Sequence, residues 1–573
     1  MTSISDQANQ RVFEWNPWLL AVLVLAFVLR VWGIDFGLPH DFTPDEVHEI
    51  VRALKLGAGE YYWGSGKGGL YLILFVEYGF LFVFLWMTGR VSGPDDFAIY
   101  YLQDPTAFYL FGRLTVAAMG VATCFVVYCI ARRAFDDRTA LLASLFGATA
   151  FFHTFWSHYI NVDIGMALAF WASVLCYMRF EAEDRPLWLV LAGVFAGIGI
   201  AFKVPGIAVV VPIGLAMLTA PKAWSKFQRT LRRGLTFAIS LVLTVACISP
   251  ETILGIASIL GHFSGVINSA AAASPNTLSD PATTDEQLWD LLALRGPGYF
   301  RAFANEKNLA LTAAAVIGAT VSIWKRDRWG LVWLGSIMFF LVIMSLSDRA
   351  GNERYLTPIM PALWLLAARG VSHVAQKQIA VGVIATAIVA APLFFIVHQN
   401  HMWTRPDTRV ITKEWIEANL PSGSKILIDG MEHRFIQSPP LRPNSETVAR
   451  RVGRISDDGG RESRGISGGT LELYAKAMQG APDPKYDLHS TVWGLEVKEL
   501  DFYPAACFEY AVLSTDTWHR YLEERESALH PQSAAFYSQV PDHPSYRLIY
   551  SAEPVNWSIQ GPGITVYEIL SDC

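Results

Sequence analysis

The chain has 573 residues, of which 52% are hydrophobic, 13% aromatic and only 17% charged, and its mean hydropathy is +0.31. A soluble domain carries about 25% charged residues, so a single soluble globule is excluded, and the scarcity of charge also excludes a disordered chain. The net charge of −6 gives no sign of nucleic-acid binding. The charge is uneven, because 41 of the 96 charged residues lie in the last 173 positions. This pattern predicts a polytopic membrane protein with a soluble C-terminal domain.

Twelve apolar runs are candidates for membrane helices, which need roughly 20 predominantly apolar residues. The first run, Trp18–Ile34, follows a polar flank and precedes no small-residue cleavage site, so we expect an uncleaved helix rather than a signal peptide. The other runs are Gly69–Thr88, Leu110–Ala131, Thr139–Ser157, Asp163–Phe180, Leu187–Phe202, Val204–Thr219, Gly234–Leu254, Leu309–Trp324, Trp329–Leu346, Tyr355–Arg369 and Ile379–His398.

Basic clusters predict the orientation of these helices, because Lys and Arg concentrate in cytoplasmic loops. From Arg132 onward the clusters occupy every second loop. The alternate loops are therefore expected on the outer side of the membrane. They include 255–308, 347–354 and everything after His398.

A cytoplasmic N-terminus also puts residues 35–68 outside, and the parity of the later loops then requires that one apolar run does not cross. We expect this run to be Gly69–Thr88, which contains Glu77 and is followed by an aromatic, Asp-rich stretch suited to an interface. It would form a juxtamembrane or re-entrant helix within a long outer loop, 35–109, leaving about eleven spans. In the alternative, this run crosses and an N-terminal helix is misread.

The chain therefore divides into two expected domains. Residues 1–398 are expected to form the transmembrane domain, and residues 399–573 a soluble α/β domain on the outer side of the membrane. Ionisable residues inside membrane segments are costly and are functional candidates by default. Arg30 is expected to snorkel to the interface, whereas Arg113 is ambiguous between snorkelling and function.

The first outer loop contains an acidic pair, Asp45-Glu46, at a predicted helix start. Thr43 fits the N-cap position and Pro44 the first helical position. Glu46 is then placed to close a capping box, and Asp45 lies in the first turn, where the helix dipole favours carboxylates. The pair is therefore open to a structural reading as well as a functional one.

Further polar residues lie in the other predicted outer segments. Asp163 stands at the outer start of a span, after His158 and Tyr159, and is either a helix cap or a functional acid. Lys203 lies between two short apolar runs, where it either snorkels or binds a phosphate. A last outer loop crowds four charged residues, Asp348, Arg349, Glu353 and Arg354.

Acidic sites and isolated cations at one face beside the lipid suit transfer from a lipid-linked phosphate. A hydroxyl acceptor needs a carboxylate base to take its proton. A departing phosphate needs Lys, Arg or a metal ion to stabilise its growing negative charge. A polyprenyl tail needs an apolar groove.

These residues, in this order, resemble the GT-C superfamily of membrane glycosyltransferases, over roughly residues 15–430. The closest likeness is to the family 39 type, which includes protein O-mannosyltransferases and the lipid A aminoarabinose transferase. The matching positions are Asp45-Glu46, Lys67-Gly68-Gly69-Leu70-Tyr71, Arg113, Ala131-Arg132-Arg133-Ala134-Phe135, Asp163, Lys203-Val204-Pro205-Gly206, and Arg354-Tyr355-Leu356-Thr357-Pro358 with Pro361. Two departures are Gly68-Gly69, which stands where the family has prolines, and an apparent insertion at 89–108.

The resemblance implies an inverting transferase that uses a polyprenyl-phosphate sugar from the periplasmic side of the inner membrane and glycosylates a glycan, lipid or protein hydroxyl. It assigns Asp45 as the general base, with Glu46 shaping the site. It assigns the remaining matched residues to substrate binding. Sugar or acceptor contacts would come from Asp163 with its neighbours His158 and Tyr159, and phosphate contacts from Lys67, Lys203 and Arg354, with Arg349 and Arg113 as further candidates.

No residue is assigned to a metal by this resemblance, and members of family 39 generally do not depend on one. Two carboxylates can nevertheless hold a divalent metal through oxygen ligands, so a metal stays an open alternative. Two other classes of function also stay open. They are a transporter or flippase, and a non-catalytic membrane subunit that retains the fold.

The C-terminal segment reads as strand-then-helix units of a small α/β domain. A helix containing Trp415 precedes a strand, Lys425–Asp429, and a second strand, Tyr510–Leu513, precedes a helix capped by Ser514 or Thr515. Cysteines Cys507 and Cys573 lie away from the spans. They are candidates for a disulfide in an oxidising compartment.

Overall fold

The computed structural model describes residues 16–40, 42–43, 45–61, 68–220, 227–255, 303, 305–345, 353–430, 437–457 and 468–571. Two compact units contain these residues. The helical unit comprises 1–34, 55–76 and 111–397, and the mixed unit comprises 35–54, 77–110 and 398–573. Two segments that precede residue 398 in the sequence, 35–54 and 77–110, thus group with the C-terminal part of the chain.

Helices dominate the chain as far as residue 403. They are α1 (Pro17–Val31), α2 (Glu46–Gly57), α3 (Gly68–Met87), α4 (Pro94–Gln103), α5 (Thr106–Ala134), α6 (Asp137–Ala148), α7 (Phe151–Trp156), α8 (Val162–Glu183), α9 (Pro186–Phe202), α10 (Val210–Thr219), α11 (Phe227–Ile248), α12 (Pro250–Leu254), α13 (Leu309–Trp324), α14 (Arg328–Ser345), α15 (Met360–Val374) and α16 (Gln378–Trp403). Short 3₁₀ helices cover Val204–Val209 and Glu353–Leu356.

Five of the described helices are long and apolar enough to cross a membrane: α3, α5, α8, α11 and α16. Helix α11 exposes large apolar side chains along its length, including Leu235, Ile239 and Leu243, as a helix facing lipid does. Helix α3 has 20 residues and is therefore long enough to span. Its expected course along the membrane surface stays a prediction.

Small residues allow close helix packing in the helical unit, as is common where helices associate in membranes. A Cβ atom at Gly318 of α13 would lie 1.8 Å from the carbonyl oxygen of Leu366 in α15. On α9, a Cβ atom at Gly197 would lie 2.6 Å from the Thr244 side chain of α11. The absence of a side chain at these two positions therefore sets how closely the helices approach.

The apolar run 139–157 is not one continuous helix, and the break explains a buried arginine. Helix α6 ends at Ala148 and α7 begins at Phe151, so the last carbonyl groups of α6 lack partners within the helix. Arg30 is 0% exposed and donates to the oxygens of Gly147, at 3.0 Å, and Ala148, at 3.2 Å. The expectation that Arg30 snorkels is wrong, because these carbonyls hold its guanidinium inside the unit.

The mixed unit contains a five-stranded sheet in the order β2-β1-β3-β5-β4, of which β2, β1 and β3 are parallel and β5 is antiparallel to both of its neighbours. The strands are β1 (Lys425–Ile428), β2 (Asp487–Ser490), β3 (Tyr510–Ser514), β4 (Tyr546–Ala552) and β5 (Ile564–Ile569). The accompanying helices are α17 (Thr408–Asn419), α18 (Ser445–Asp457), α19 (Gly468–Gln479), α20 (Phe502–Ala505), α21 (Thr515–Trp518), α22 (Glu524–Leu529) and α23 (Pro531–Gln539), and 3₁₀ helices cover His519–Leu522 and Val540–Asp542.

Two apolar clusters cover the sheet. One gathers aromatic side chains such as Tyr503, Tyr521 and Phe536, and the other contains Ile416 of α17 and Ile426 of β1. The strands expected from the sequence near 425 and 510 are both present, and Ser514 is the N-cap residue of α21.

The sequence suggested a disulfide between two outer cysteines. Cys507 is disulfide-bonded in the structure. Its expected partner, Cys573, lies outside the described residues. Four other cysteines are free: Cys124, Cys129, Cys176 and Cys247.

Candidate functional site

Asp163 lies at the start of α8 and is 0% exposed. The helix begins there because Asn161 has an extended backbone and caps it. The Asn161 side-chain oxygen accepts from the backbone N–H of Asp163, at 3.0 Å, and of Ile164, at 3.4 Å. The helix is therefore capped by Asn161 rather than by Asp163. Both carboxylate oxygens of Asp163 are available for other partners.

Two cations flank the Asp163 carboxylate, one on each oxygen. Lys203 donates from Nζ to Oδ1 at 2.7 Å, and Arg354 donates from Nε to Oδ2 at 2.6 Å. The cations are separated from Asp163 by 40 and 191 residues in the sequence. We call these three residues the Asp163 cluster. It carries one negative and two positive charges, so its net charge is positive.

Aromatic rings hold both cations of the Asp163 cluster. The Lys203 ammonium lies 4.7 Å from the centre of the Tyr355 ring, and the Arg354 guanidinium lies 4.8 Å from that of Trp156. Ring faces attract cations. The side chains of Lys203 and Arg354 remain 14% and 17% exposed, so the cluster is buried at its carboxylate and accessible at its cations.

Close packing around Phe202 fixes the backbone next to Lys203. A Cβ atom at Gly165, two residues after Asp163, would lie 2.3 Å from the Phe202 ring, and one at Gly69 would lie 2.9 Å from the same ring. Glycine at position 69 therefore brings the start of α3 against Phe202. This contact gives a physical reason for one of the two glycines that depart from the family pattern.

Two other candidates, His158 and Arg113, contact backbone oxygens, and a third, Tyr159, contacts aromatic rings. The ring nitrogens of buried His158 lie 2.9 Å from the Thr154 oxygen and 3.3 Å from the Trp32 oxygen. Arg113 is 1% exposed and donates to the Ile34 oxygen at 2.8 Å. Tyr159 is half-buried. Its ring centre lies 5.2 Å from that of Phe155 and 5.6 Å from that of Trp156. These contacts support structural roles for His158 and Arg113, and a binding role stays a prediction for all three.

The acidic pair Asp45-Glu46 belongs to the mixed unit, and its two members differ in exposure. Asp45 is exposed, whereas Glu46 is 0% exposed and accepts a short hydrogen bond from the Thr43 hydroxyl. Helix α2 begins at Glu46, two residues later than the sequence suggested. Thr43 therefore contacts the Glu46 side chain, and Asp45 remains open to solvent.

Two further cations expected in the site, Lys67 and Arg349, lie outside the described residues. Within the described ranges, no group of three or more His, Cys, Asp or Glu side chains is arranged to hold a metal ion.

Another buried acid, Glu251, was missed by the sequence reasoning. It is 6% exposed and lies at the start of α12. Its carboxylate accepts from the Tyr61 hydroxyl at 2.5 Å and, in a short contact, from the Ser249 hydroxyl. A Cβ atom at Gly68 would lie 3.1 Å from the Ile248 oxygen, so α3 begins close to this group. The available signal was Ser249-Pro-Glu after an apolar run, which is a helix-start pattern.

Comparison with known families supports the class of protein that these features suggest. Residues 110–253 match the family described as dolichyl-phosphate-mannose-protein mannosyltransferase. The matched segment includes Asp163 and Lys203, and Arg354 lies beyond it. This match confirms the resemblance to GT-C membrane glycosyltransferases of the protein O-mannosyltransferase type. No curated protein matches the chain.

Several solved structures are similar to the whole chain at low identity. The structure of ArnT from Cupriavidus metallidurans bound to undecaprenyl phosphate is 14% identical over 96% of this chain and 98% of that chain, with a TM-score of 0.48. The oligosaccharyltransferase of Archaeoglobus fulgidus is 12% identical over 97% and 73%, with a TM-score of 0.45. The mycobacterial arabinofuranosyltransferase AftD is 13% identical over 98% and 42%, with a TM-score of 0.38.

Proposed function

We propose that the protein transfers a sugar from a polyprenyl-phosphate donor to a hydroxyl group of an acceptor outside the cytoplasm. The observation that carries this proposal is the pair of cations on one buried carboxylate, Lys203 and Arg354 on Asp163. The family match over residues 110–253 supports the glycosyltransferase class. The active face and the mixed unit would then lie on the periplasmic side of the inner membrane.

The Asp163 cluster suits a phosphate with a lipid tail. Asp163 uses one of the three N–H donors of the Lys203 ammonium. A carboxylate that holds two cations side by side orients their donors before the ligand arrives, which lowers the cost of ordering them. As the bond to the sugar breaks, negative charge grows on the phosphate oxygens, and positioned cations stabilise that charge.

Asp45 is the proposed base. In an inverting reaction the acceptor oxygen attacks the anomeric carbon on the face opposite the phosphate. The carbon–oxygen bond to phosphate breaks, and the bonding electrons leave with the phosphate. The proton of the acceptor hydroxyl goes to the base. Exposure of Asp45 fits a group that meets an acceptor from the aqueous side, and the buried Glu46 shapes the loop through its contact with Thr43.

The proposal is tested with the purified chain, three lipid donors and added membranes of the native host as the source of acceptor. The donors are undecaprenyl phosphate carrying mannose, glucose or aminoarabinose. We expect Asp45→Asn to lower transfer by a factor of about 10² to 10⁴, the usual contribution of a general base. Lys203→Met should weaken binding of undecaprenyl phosphate itself. The measurements are release of the free lipid phosphate and binding of the sugar-free lipid.

Asp35→Asn is the matched control, because Asp35 is an exposed aspartate at the start of the same outer loop. It should keep full transfer activity. Full activity of Asp45→Asn, in a chain that remains folded and membrane-inserted, contradicts the proposed mechanism. Equal binding of undecaprenyl phosphate by Lys203→Met and the unaltered chain contradicts the phosphate assignment.

A further inference from the structure

The outer loop that carries Asp45 and Glu46 contacts helix α17 within the mixed unit. The Arg409 guanidinium lies over the Phe42 ring, 3.7 Å from its centre. Both residues are buried, each 9% exposed. An arginine over an aromatic face is attracted by the ring and gains strength when it is shielded from water. Phe42 is three residues from Asp45, so this contact lies in the same loop as the acidic pair.

Arg409 is itself held in place by a carboxylate. Its Nε donates to Asp407 Oδ1 at 2.8 Å, and its Nη2 donates to Asp407 Oδ2 at 2.6 Å. This forked geometry fixes the plane of the guanidinium as well as its charge. The planar group is thereby presented flat to the Phe42 ring.

The start of α17 is anchored to the segment before β5. The Thr408 backbone N–H donates to the Gln560 oxygen at 2.8 Å, and the Thr408 hydroxyl donates to the Pro562 oxygen at 2.6 Å. Gly561 has a φ of 101°, and a Cβ atom there would lie 2.4 Å from the Thr408 hydroxyl. Arg409 therefore projects from a backbone that is attached to the sheet.

A second contact holds the beginning of the same loop. The Phe36 and Trp403 rings are stacked, with centres 4.8 Å apart and planes at 17°. Gly37 has a φ of 74°, which turns the chain so that Phe42 lies against the glycine. The loop is thus held on both sides of this turn, at Phe36 and at Phe42.

Charges around the loop are consistent with this docking. Burial, together with the positive charges of Lys413, Arg442 and Arg409, lowers the pKa of His40 to about 4, against an opposing effect of Asp407. His40 is therefore neutral at physiological pH. A neutral ring adds no repulsion to the cations of α17.

We propose that Arg409 is a positioning residue for the acidic loop. Through Phe42 it holds the segment that bears Asp45 and Glu46, so α17 orients the proposed base within the mixed unit. This inference rests on the proposed function for its catalytic consequence. The docking itself is measurable without any activity.

The test combines hydrogen exchange with kinetics on the full chain in detergent or nanodiscs. In Arg409→Ala, exchange of the amides of Val47–Leu54 should rise about tenfold or more, because local opening becomes easier. Exchange in β1 and β3 should stay unchanged. With the donor lipid that supports transfer, kcat should fall about tenfold while KM for the lipid stays within about twofold, as expected for lost orientation rather than lost binding.

Three variants sharpen the result. Arg405→Ala is the matched control, since Arg405 lies four residues earlier, is exposed and contacts His401. It should leave loop exchange unchanged. Phe42→Leu should reproduce the effect of Arg409→Ala. Phe42→Tyr should leave loop exchange unchanged, because it keeps an aromatic face. These Phe42 variants leave α17 intact and decide the question if Arg409→Ala does not fold.

The outcomes separate the inference from the proposed function. Unchanged loop exchange in both Arg409→Ala and Phe42→Leu overturns the inference. Faster exchange with normal kcat, in a protein that Asp45→Asn inactivates, overturns the positioning role and leaves the proposed function intact. Faster exchange in a protein whose Asp45→Asn variant is fully active supports the docking and overturns the proposed function.

Discussion

Two fully buried aspartates, one in each unit, are stabilised in opposite ways. Asp163 of the helical unit lies between two cations, Lys203 and Arg354. Asp429 of the mixed unit, directly after β1, is also 0% exposed. Its partners are the hydroxyls of Tyr537, at 2.6 Å, and Thr491, at 2.9 Å, and the backbone N–H of Ser514, at 2.9 Å.

The difference shows what each carboxylate can do. Burial raises the pKa of Asp429 to about 6, against the opposing hydrogen bonds from Tyr537, Ser514 and Thr491. Neutral donors therefore compensate its desolvation only in part, and Asp429 serves to join the ends of three parallel strands. Asp163 instead has two charged partners that reach toward the surface. Direct charge pairing is the property that separates the candidate site from this structural aspartate.

The largest expected effect comes from removing the charge of Asp163. Asp163→Asn removes the negative charge between Lys203 and Arg354, and breaking one side of a buried ion pair costs about 3–5 kcal/mol. We expect a lower unfolding midpoint of the full chain in detergent, together with lost transfer activity. The control is Asp137→Asn, in a partly exposed pair with Arg132, which should cost about 0–1 kcal/mol.

A double variant tests whether charge explains that loss. Asp163→Asn combined with Lys203→Met removes one charge of each sign and should regain part of the stability, because a neutral replacement is often tolerated where a lone charge is not. Transfer should stay absent. If the double variant is as unstable as the sum of the two single variants, the coupling through charge is contradicted.

Asp429 should make the stability of the folded chain depend on pH. Its folded pKa of about 6 is above the ordinary value of 3.8, so the folded state binds the proton more tightly than the unfolded state. The contribution of Asp429 to stability is therefore fully present below about pH 4 and is lost as the pH rises through about 6. One pKa unit corresponds to about 1.4 kcal/mol, so the loss is of the order of 3 kcal/mol.

The measurement compares unfolding midpoints of the unaltered chain and Asp429→Asn at several values between pH 4 and 7. The asparagine side chain of the variant does not titrate, so the difference between the two proteins should change across this window. The comparison cancels the titration of other carboxylates. A constant difference from pH 4 to 7 contradicts the raised pKa of Asp429.

A smaller effect is expected from the packing beside Lys203. Gly69→Ala brings a methyl group to within 2.9 Å of Phe202, and overpacking a close contact typically costs about 1–3 kcal/mol. Gly79 lies on the same helix and has nothing within 4 Å of a Cβ atom. Gly79→Ala should therefore be neutral or stabilising by about 0.5–1 kcal/mol. Equal stabilities of the two variants would contradict the close approach of α3 to Phe202.

The sequence predicted the chemistry of the site better than its contacts. Asp163 and Lys203 were singled out at the ends of apolar runs, and Arg354 as one of four charged residues in a single loop, and the structure brings all three together. Their pairing was not predictable, because 191 residues separate Asp163 from Arg354 and helix periodicity contains no information about contacts at that range. The order of the motifs supported the class of protein, and only the fold supplied the geometry.

Two errors have a common physical origin. Arg30 was expected at the interface, and Glu251 was not considered, because each lies at the edge of an apolar run. Their partners cannot be predicted from the sequence. Arg30 donates to backbone carbonyls at the break after α6, and Glu251 accepts from the Tyr61 hydroxyl, 190 residues away. The strands of the mixed unit were easier to predict, since short apolar segments with following turn residues are local signals.

The smallest loss of stability is expected at Glu251, which extends the comparison to a third carboxylate. It is a buried carboxylate like Asp163 and Asp429, and two hydroxyls, Tyr61 and Ser249, donate to it. Tyr61→Phe removes one donor and should cost about 1–3 kcal/mol, the penalty for depriving a buried acceptor of a partner. The expected value is near the lower limit, because the Tyr61 side chain is only partly buried.

The measurement is the unfolding midpoint of the full chain. The control is Tyr100→Phe, since the Tyr100 ring packs near Phe108. Equal midpoints would show that Glu251 needs no second donor, which would set it apart from Asp429.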